Sequence, residues 1–266
     1  MYKIGLSSCG KPLNEQLFAD YAKAGITAME ISPDWPEFKY LDYKALDTWA
    51  KQYGITLWSY HLPFQTVDLS TTDRAWRLCA TEYLSEQIKQ ARDIGIRRFV
   101  AHPSSGGVSE AERAEKMACA KDSLNTLAEF AKHFDAEICV EDLPRRGLGY
   151  CSEEILDILS VNEDLRVCFD TNHLLEEDIP TFIRRVGNKI ATLHVSDYDF
   201  VDERHWLPGD GLVEWTPLID ALKEVGYNGA WMYEIRFDSN AQQRGRSLTC
   251  EDFVANAKKL FAGDAL

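Results

Sequence analysis

Eight short apolar runs alternate with eight amphipathic segments from one end of this chain to the other. The runs cover residues 2–8, 27–31, 55–60, 98–101, 137–140, 166–169, 190–193 and 230–233. They are rich in β-branched and aromatic residues, the pattern of strands buried on both faces. Between and after them, helical periodicity predicts helices over 14–24, 43–53, 74–94, 110–133, 153–159, 179–186, 217–225 and 251–261. Gly25, Gly54, Gly95, Gly187 and Gly226 stand just past helix ends, where a left-handed cap is wanted. Ser109 and Glu112 have capping-box spacing. Strict alternation with short connections implies parallel strands and right-handed crossovers. Eight units favour a closed barrel over an open doubly wound sheet, and no Gly-rich dinucleotide loop follows the first strand. The expected fold is therefore α/β, a (β/α)8 TIM barrel. A length of 266 residues suits one such barrel, and no linker or low-complexity segment interrupts it, so one domain over 1–266 is expected.

Charge and cysteine usage narrow the function. The net charge is −14, which repels phosphate backbones and makes nucleic acid an unfavoured partner. The seven cysteines show no CxxC spacing. Cys79 and Cys119 fall in helical patterns, and Cys139 and Cys168 in strands, so reduced thiols in a reducing compartment are expected. No run is long enough to span a bilayer and no leader pattern stands at the start, so a cytoplasmic protein without a membrane partner is expected.

Chemistry-bearing residues gather where the runs end. Glu141, Asp170, His194 and Glu234 each end or follow one. A charged side chain directly after a buried run is costly unless it is paired or bound to a metal. Any one of them reads equally well as a satisfied polar cap; four together do not. Parallel strands bring them to the C-terminal face of a barrel. Three carboxylates and one imidazole make a hard, mostly oxygen site suited to one divalent ion: Mn, Mg, Co or Zn. His173 lies three residues after Asp170 and reads as a rim residue over the substrate, with a surface loop histidine the alternative. His61, in His61-Leu62-Pro63, and His102, in His102-Pro103, also end strands. They read as contacts to substrate hydroxyls, ligands of a second metal, or histidines tied to loop carbonyls. Arg204 and His205 lie in a polar loop that is either merely solvated or a lid over the substrate. Pro208-Gly209-Asp210-Gly211 reads as a turn, with phosphate cradling the alternative. Trp35, Phe64, Trp206 and Trp215 are candidates for stacking on a sugar, with core or loop packing the alternative. His133, late in a helix, reads as a surface residue.

As a set, these strings resemble the xylose isomerase-like TIM-barrel superfamily, over essentially the whole chain. The nearest likeness is to its sugar phosphate isomerase/epimerase group; endonuclease IV is a relative. The carrying strings are His61-Leu62-Pro63, His102-Pro103, Val140-Glu141-Asp142, Phe169-Asp170-Thr171-Asn172-His173, Leu193-His194-Val195-Ser196-Asp197, Pro208-Gly209-Asp210-Gly211 and Tyr233-Glu234. The resemblance implies that Glu141, Asp170, His194 and Glu234 are the metal ligands. It implies that Glu141 and Glu234 also serve as acid and base on opposite faces of a sugar or polyol, one removing a proton beside the carbonyl and the other returning it. The ion then stabilises the enediolate charge. His173 joins the catalytic set, and His61, His102, Arg204 and His205 the substrate contacts. Ketose 3-epimerases usually place an arginine a few residues after the His194 position. Here Tyr198, Asp199 and Phe200 stand there, and the first arginine is Arg204. The expected activity is a divalent-metal sugar or polyol isomerase/epimerase. A dehydratase of a keto-polyol and an endonuclease IV-like zinc phosphodiesterase at abasic sites are the alternatives, the latter because His61, His102, His173 and the Glu203/His205 pair resemble that enzyme's further zinc ligands. Barrels of this group often pair, which leaves a homo-oligomer open.

Overall fold

The computed structural model describes residues 2–264. Its strands are β1 (Lys3–Ser7), β2 (Ala28–Ile31), β3 (Thr56–His61), β4 (Arg98–Ala101), β5 (Glu137–Glu141), β6 (Arg166–Asp170), β7 (Ile190–His194) and β8 (Ala230–Tyr233). The helices are α1 (Glu15–Ala24), α2 (Tyr43–Tyr53), α3 (Arg74–Asp93), α4 (Glu110–Lys132), α5 (Ser152–Leu159), α6 (Ile179–Val186), α7 (Trp215–Glu224), α8 (Ala241–Arg244) and α9 (Cys250–Ala262). All strand pairs are parallel, and the order runs from β7 back to β1 and on to β8. The ring closes between β7 and β8, where Val195 N donates to Met232 O at 2.8 Å and Glu234 N to Val195 O at 3.3 Å. This is the expected (β/α)8 barrel. The short α8 and two 3-10 turns have no counterpart in that expectation; α8 is preceded by Asn240, whose φ of 53° is left-handed.

Local chemistry sets the helix ends. Asn14, Asp42, Asp73 and Asp178 each accept a hydrogen bond from a backbone amide of the first turn. Gly25 and Gly54 close their helices at φ 95° and 67°. The capping box expected at Ser109 does not form: its hydroxyl donates to the Glu112 carboxylate rather than accepting from the backbone. A true capping box starts α9, from Thr249 and Asp252.

Outward-facing strand residues pack against the helices. Phe169 of β6 lies 5.0 Å from Phe182 of α6, ring to ring, both fully buried. Truncating Phe182 to alanine would cost about 3–5 kcal/mol. The inward faces of the strands are layered. Gly5, Ala28, Ser59, Val100, Cys139, Cys168, Thr192 and Met232 fill the middle. One alternation towards the C-terminal ends comes Ser7, Glu30, His61, His102, Glu141, Asp170, His194 and Glu234. Every strand thus supplies one polar group to the same mouth of the barrel. No helix is long and apolar enough to cross a membrane among the described residues, and all seven cysteines are free thiols.

Candidate metal and active site

Glu141 is the hub of that mouth. It is fully buried, with Oε1 2.9 Å from His194 Nδ1 and Oε2 3.2 and 2.9 Å from the Nε2 atoms of His61 and His102. Burial alone would raise its carboxyl, but the His194 and His102 imidazoles outweigh burial and hold it well below the usual range. His194 Nδ1 also lies 3.3 Å from Glu234 Oε2 and 3.9 Å from Asp170 Oδ2. The other nitrogen, Nε2, meets Glu30 Oε2 at 3.0 Å. Glu30 is fully buried and accepts from Ser59 Oγ at 2.8 Å and Ser7 Oγ at 3.1 Å. It fixes the ring so that Nδ1 faces the three carboxylates, the arrangement a ligating imidazole needs.

A second circle of hydrogen bonds aims these side chains. Asp142 accepts from Asp170 N, and Asp170 from Asn172 N, at 2.8 and 2.7 Å. The Asn172 side chain accepts from Arg204 N and His205 N, pinning the β7–α7 loop over the site. His173 Nδ1 meets Asp142 O at 2.7 Å, and its Nε2 lies 3.4 Å from Glu203 Oε2. Burial pushes Asp170 up to about 6 and Asp142 well above its usual value. Burial depresses His102, whereas His61 is raised to about 9 because Glu141 outweighs its burial.

Five sets of donor atoms lie close enough to share an ion among the described residues, and three of them divide the mouth between them: Glu141, Asp170, His194 and Glu234; His61, His102 and Glu141; His173, Glu203 and His205. The residues fit such cations. Asp142 Oδ2 and Asp170 Oδ2 are buried oxygens without a hydrogen-bond partner, as ligand oxygens are before a cation meets them, while Glu141 Oε2 is held between the His61 and His102 rings.

The substrate candidates gather here too. A cavity of about 510 Å³ opens beside Glu234 and is walled by Trp35, Phe38, Phe64, Arg204 and Arg236. A second, of about 260 Å³, is lined by His102, Glu141, His173 and Glu203. His61, Phe64, His205 and Glu234 border both. Two aromatic candidates lie elsewhere: Trp215 is buried and donates to Asp197, and Trp206 lies beneath the Arg204 guanidinium. The Pro208-Gly209-Asp210-Gly211 turn wraps Asp197, which accepts from Gly209 N at 2.7 Å; a Cβ on Gly211 would strike the Asp197 carboxylate. That turn holds an internal carboxylate rather than cradling a phosphate. Apart from Asp135, every non-glycine residue with positive φ among those described belongs to loops of this face: Arg145, Arg146, Phe200, His205 and Asn240. Such strain concentrates at functional loops.

Glu30 is the site residue the sequence reading passed over. The signal was available: it is the one charged residue in an otherwise apolar run, in step with the residues that end the other strands.

The family model of the xylose isomerase-like TIM barrel matches residues 18–250. The chain belongs to that family. A D-psicose 3-epimerase of Ruminiclostridium cellulolyticum is 26% identical over 80% of this chain and 75% of its own length. A probable endonuclease 4 of Acholeplasma laidlawii is 28% identical over 64% of this chain and 63% of its own length, so the match spans under two thirds of that relative. Among solved structures, a D-psicose 3-epimerase with D-tagatose from Clostridium cellulolyticum superposes with a TM-score of 0.82 at 21% identity, over 98% of each chain. A 3-keto-D-glucoside 4-epimerase from E. coli gives 0.79 at 16%, over 97% of this chain and all of that one. At these identities the superpositions speak for the fold.

Proposed function

We propose that the chain is a divalent-metal-dependent isomerase or epimerase of a small uncharged sugar or polyol. The observation that carries this reading is the convergence of Glu141 and Glu234 on one point, His194 Nδ1, with Glu234 lining the aromatic-walled cavity and both glutamates lining the smaller cavity beside it. Glu141, Asp170, His194 and Glu234 would hold the cation, which supplies stabilisation of negative charge on the substrate's oxygens. Glu141 and Glu234 reach the substrate from different strands, so one takes the proton beside the carbonyl and the other returns it to the opposite face. His173 and His205 bound the space from the rim and offer ring nitrogens to hydroxyls. Trp35 and Phe64 shield one side from water. The two arginines of the larger cavity are already matched, Arg204 to Asp199 at 2.8 Å and Arg236 to Asp34 at 3.1 Å. That supports a neutral substrate over a phosphorylated one.

The test is solvent deuterium incorporation at the carbon beside the carbonyl, across a panel of ketoses and keto-polyols. Wild-type protein should incorporate label and yield the epimer. Glu141→Gln and Glu234→Gln should lose about 10²–10⁴-fold in rate while keeping the fold. Full activity in either variant sinks the proposal, and loss of water from the substrate moves the reaction to the dehydratases.

The three donor sets favour a second reading, a phosphodiesterase acting on abasic DNA with up to three zinc ions. The net charge of −14 weighs against it. Metal content of protein purified without chelators separates the two: about one equivalent supports the isomerase, and two to three of zinc, with nicking of an abasic duplex, the nuclease.

A further inference from the structure

The opposite end of the barrel carries a charge pattern that the chemistry above does not use. Arg98, Glu137 and Arg166 open β4, β5 and β6, each two residues before Val100, Cys139 and Cys168. Those three cluster inside the barrel with Ala191, so the alternation of the strands carries Arg98, Glu137 and Arg166 into its N-terminal mouth. A cavity of about 200 Å³ opens there, lined by these three together with Asn188, Tyr227 and Asn228.

Arginine is heavily committed in this acidic chain. Arg77, Arg92, Arg97, Arg113, Arg145 and Arg146 pair with carboxylates, and so do Arg184, Arg185, Arg204, Arg236, Arg244 and Arg246. Among the described residues the exceptions are Arg74, exposed at the start of α3, and the two arginines of this mouth. Glu137, beside Arg98 in the strand register, forms an ion pair with neither. Arg166 spends Nη1 on the carbonyls of Glu163 and Leu165 at 2.8 and 2.9 Å, which holds its fork in place. The Arg98 guanidinium lies 3.9 Å from the Trp58 ring centroid, and its Nε is buried without a hydrogen-bond partner. At the catalytic end the orphaned buried atoms are mainly oxygens, as a cation site requires. At this end the orphan is a cationic donor, which requires an anion.

We propose that the N-terminal mouth of the barrel binds a hydrogenphosphate group between Arg98 and Arg166. Its unprotonated oxygens accept from the two guanidiniums. Its hydroxyl donates to Glu137, a carboxylate that would repel an anion with no proton to offer. Trp58 holds the Arg98 plane, so little side-chain entropy is lost on binding. The site is independent of the reaction proposed for the other face.

Isothermal titration calorimetry tests this with inorganic phosphate and, in a second arm, glycerol 1-phosphate, at fixed ionic strength near neutral pH. Saturable binding of either supports the site, and the tighter of the two identifies the source, a free ion or a phosphate carried on a small molecule. Arg98→Met with Arg166→Met should weaken binding by about tenfold or more. The single variants Arg98→Lys and Arg166→Lys, which keep the charge, read the same loss should the double variant fail to fold. Sulfate, which carries no proton at this pH, should bind more weakly than phosphate in wild-type protein. No saturable heat, or binding unchanged in the arginine variants, overturns the proposal. Sulfate binding as tightly as phosphate overturns the part given to Glu137.

Discussion

At the scale of single residues, the most informative side chain is Glu30. It touches no substrate cavity, yet it sets which nitrogen of His194 faces the carboxylates. Glu30→Gln keeps the volume, but its single amide oxygen can accept at only one of the two positions that Ser7 and Ser59 now donate to, and it offers the imidazole a weaker, uncharged acceptor. Divalent-cation affinity should fall about 10–100-fold, as measured by competition with a chelating dye, with little change in far-UV circular dichroism. Unchanged affinity would make Glu30 a mere filler of the barrel. The case also shows what could be read from the sequence at this scale. Glu141, Asp170, His194 and Glu234 announce themselves because a charge breaks an apolar run near its end. Glu30 obeys the same rule but is followed by Ile31, which disguises it as an interruption inside the strand. Asp142, Asn172 and Asp197 cannot be assigned this way. Their partners are backbone amides brought to them by the tertiary fold.

At the scale of elements, the loop between β7 and α7 decides how the site is covered. Arg145, from the loop after β5, donates to Asp202 through Nε and to Glu203 through Nη1, both at 2.7 Å. This leaves the other Glu203 oxygen facing His173. The Arg145 side chain is 54% exposed, so its pairs add little to global stability, about 0–1 kcal/mol. Arg145→Met should therefore leave the unfolding midpoint almost unmoved while raising proteolytic cleavage within 199–206. Unaltered cleavage would show that Asn172 alone holds the loop.

Glu203 adds a pH dependence with a definite sign. The hydrogen bond from His173 pulls its carboxyl down to about 2, against an ordinary 4.5, so its contribution is complete above 4.5 and is lost as pH falls towards 2. Hydrogen exchange of the loop should quicken relative to the strands across that window, and Glu203→Gln should flatten the response. The sequence left this loop open between a solvated stretch and a lid. Its anchors lie roughly 30 and 60 residues away in the chain, beyond any local pattern. The helices, by contrast, were legible almost to the residue, because their caps are chemical and local.

At the scale of the molecule, the barrel is a ring whose two mouths have opposite needs. The middle tier between them is built largely of small, buried residues: Gly5, Ala28, Val100, Cys139 and Cys168. A cation at the C-terminal mouth would draw on β5, β6, β7 and β8, and β7–β8 is where the ring closes with the fewest backbone hydrogen bonds. Binding there should therefore act as a clasp on the whole fold. A ligand that binds only the folded state at about 100 times its dissociation constant adds about 2.7 kcal/mol. For a chain of this size that corresponds to a rise of about 5–10 °C in the unfolding midpoint. Scanning calorimetry with manganese, magnesium, cobalt and zinc in turn, each against chelator, measures it. The ion giving the largest rise is the one whose geometry the four ligands match. Asp170→Asn should abolish the rise, since it removes an anionic ligand without emptying the space. If the midpoint is indifferent to all four ions in wild-type protein, the buried carboxylates must be neutralised by the surrounding histidines alone, and the metal-dependent reading of this mouth fails.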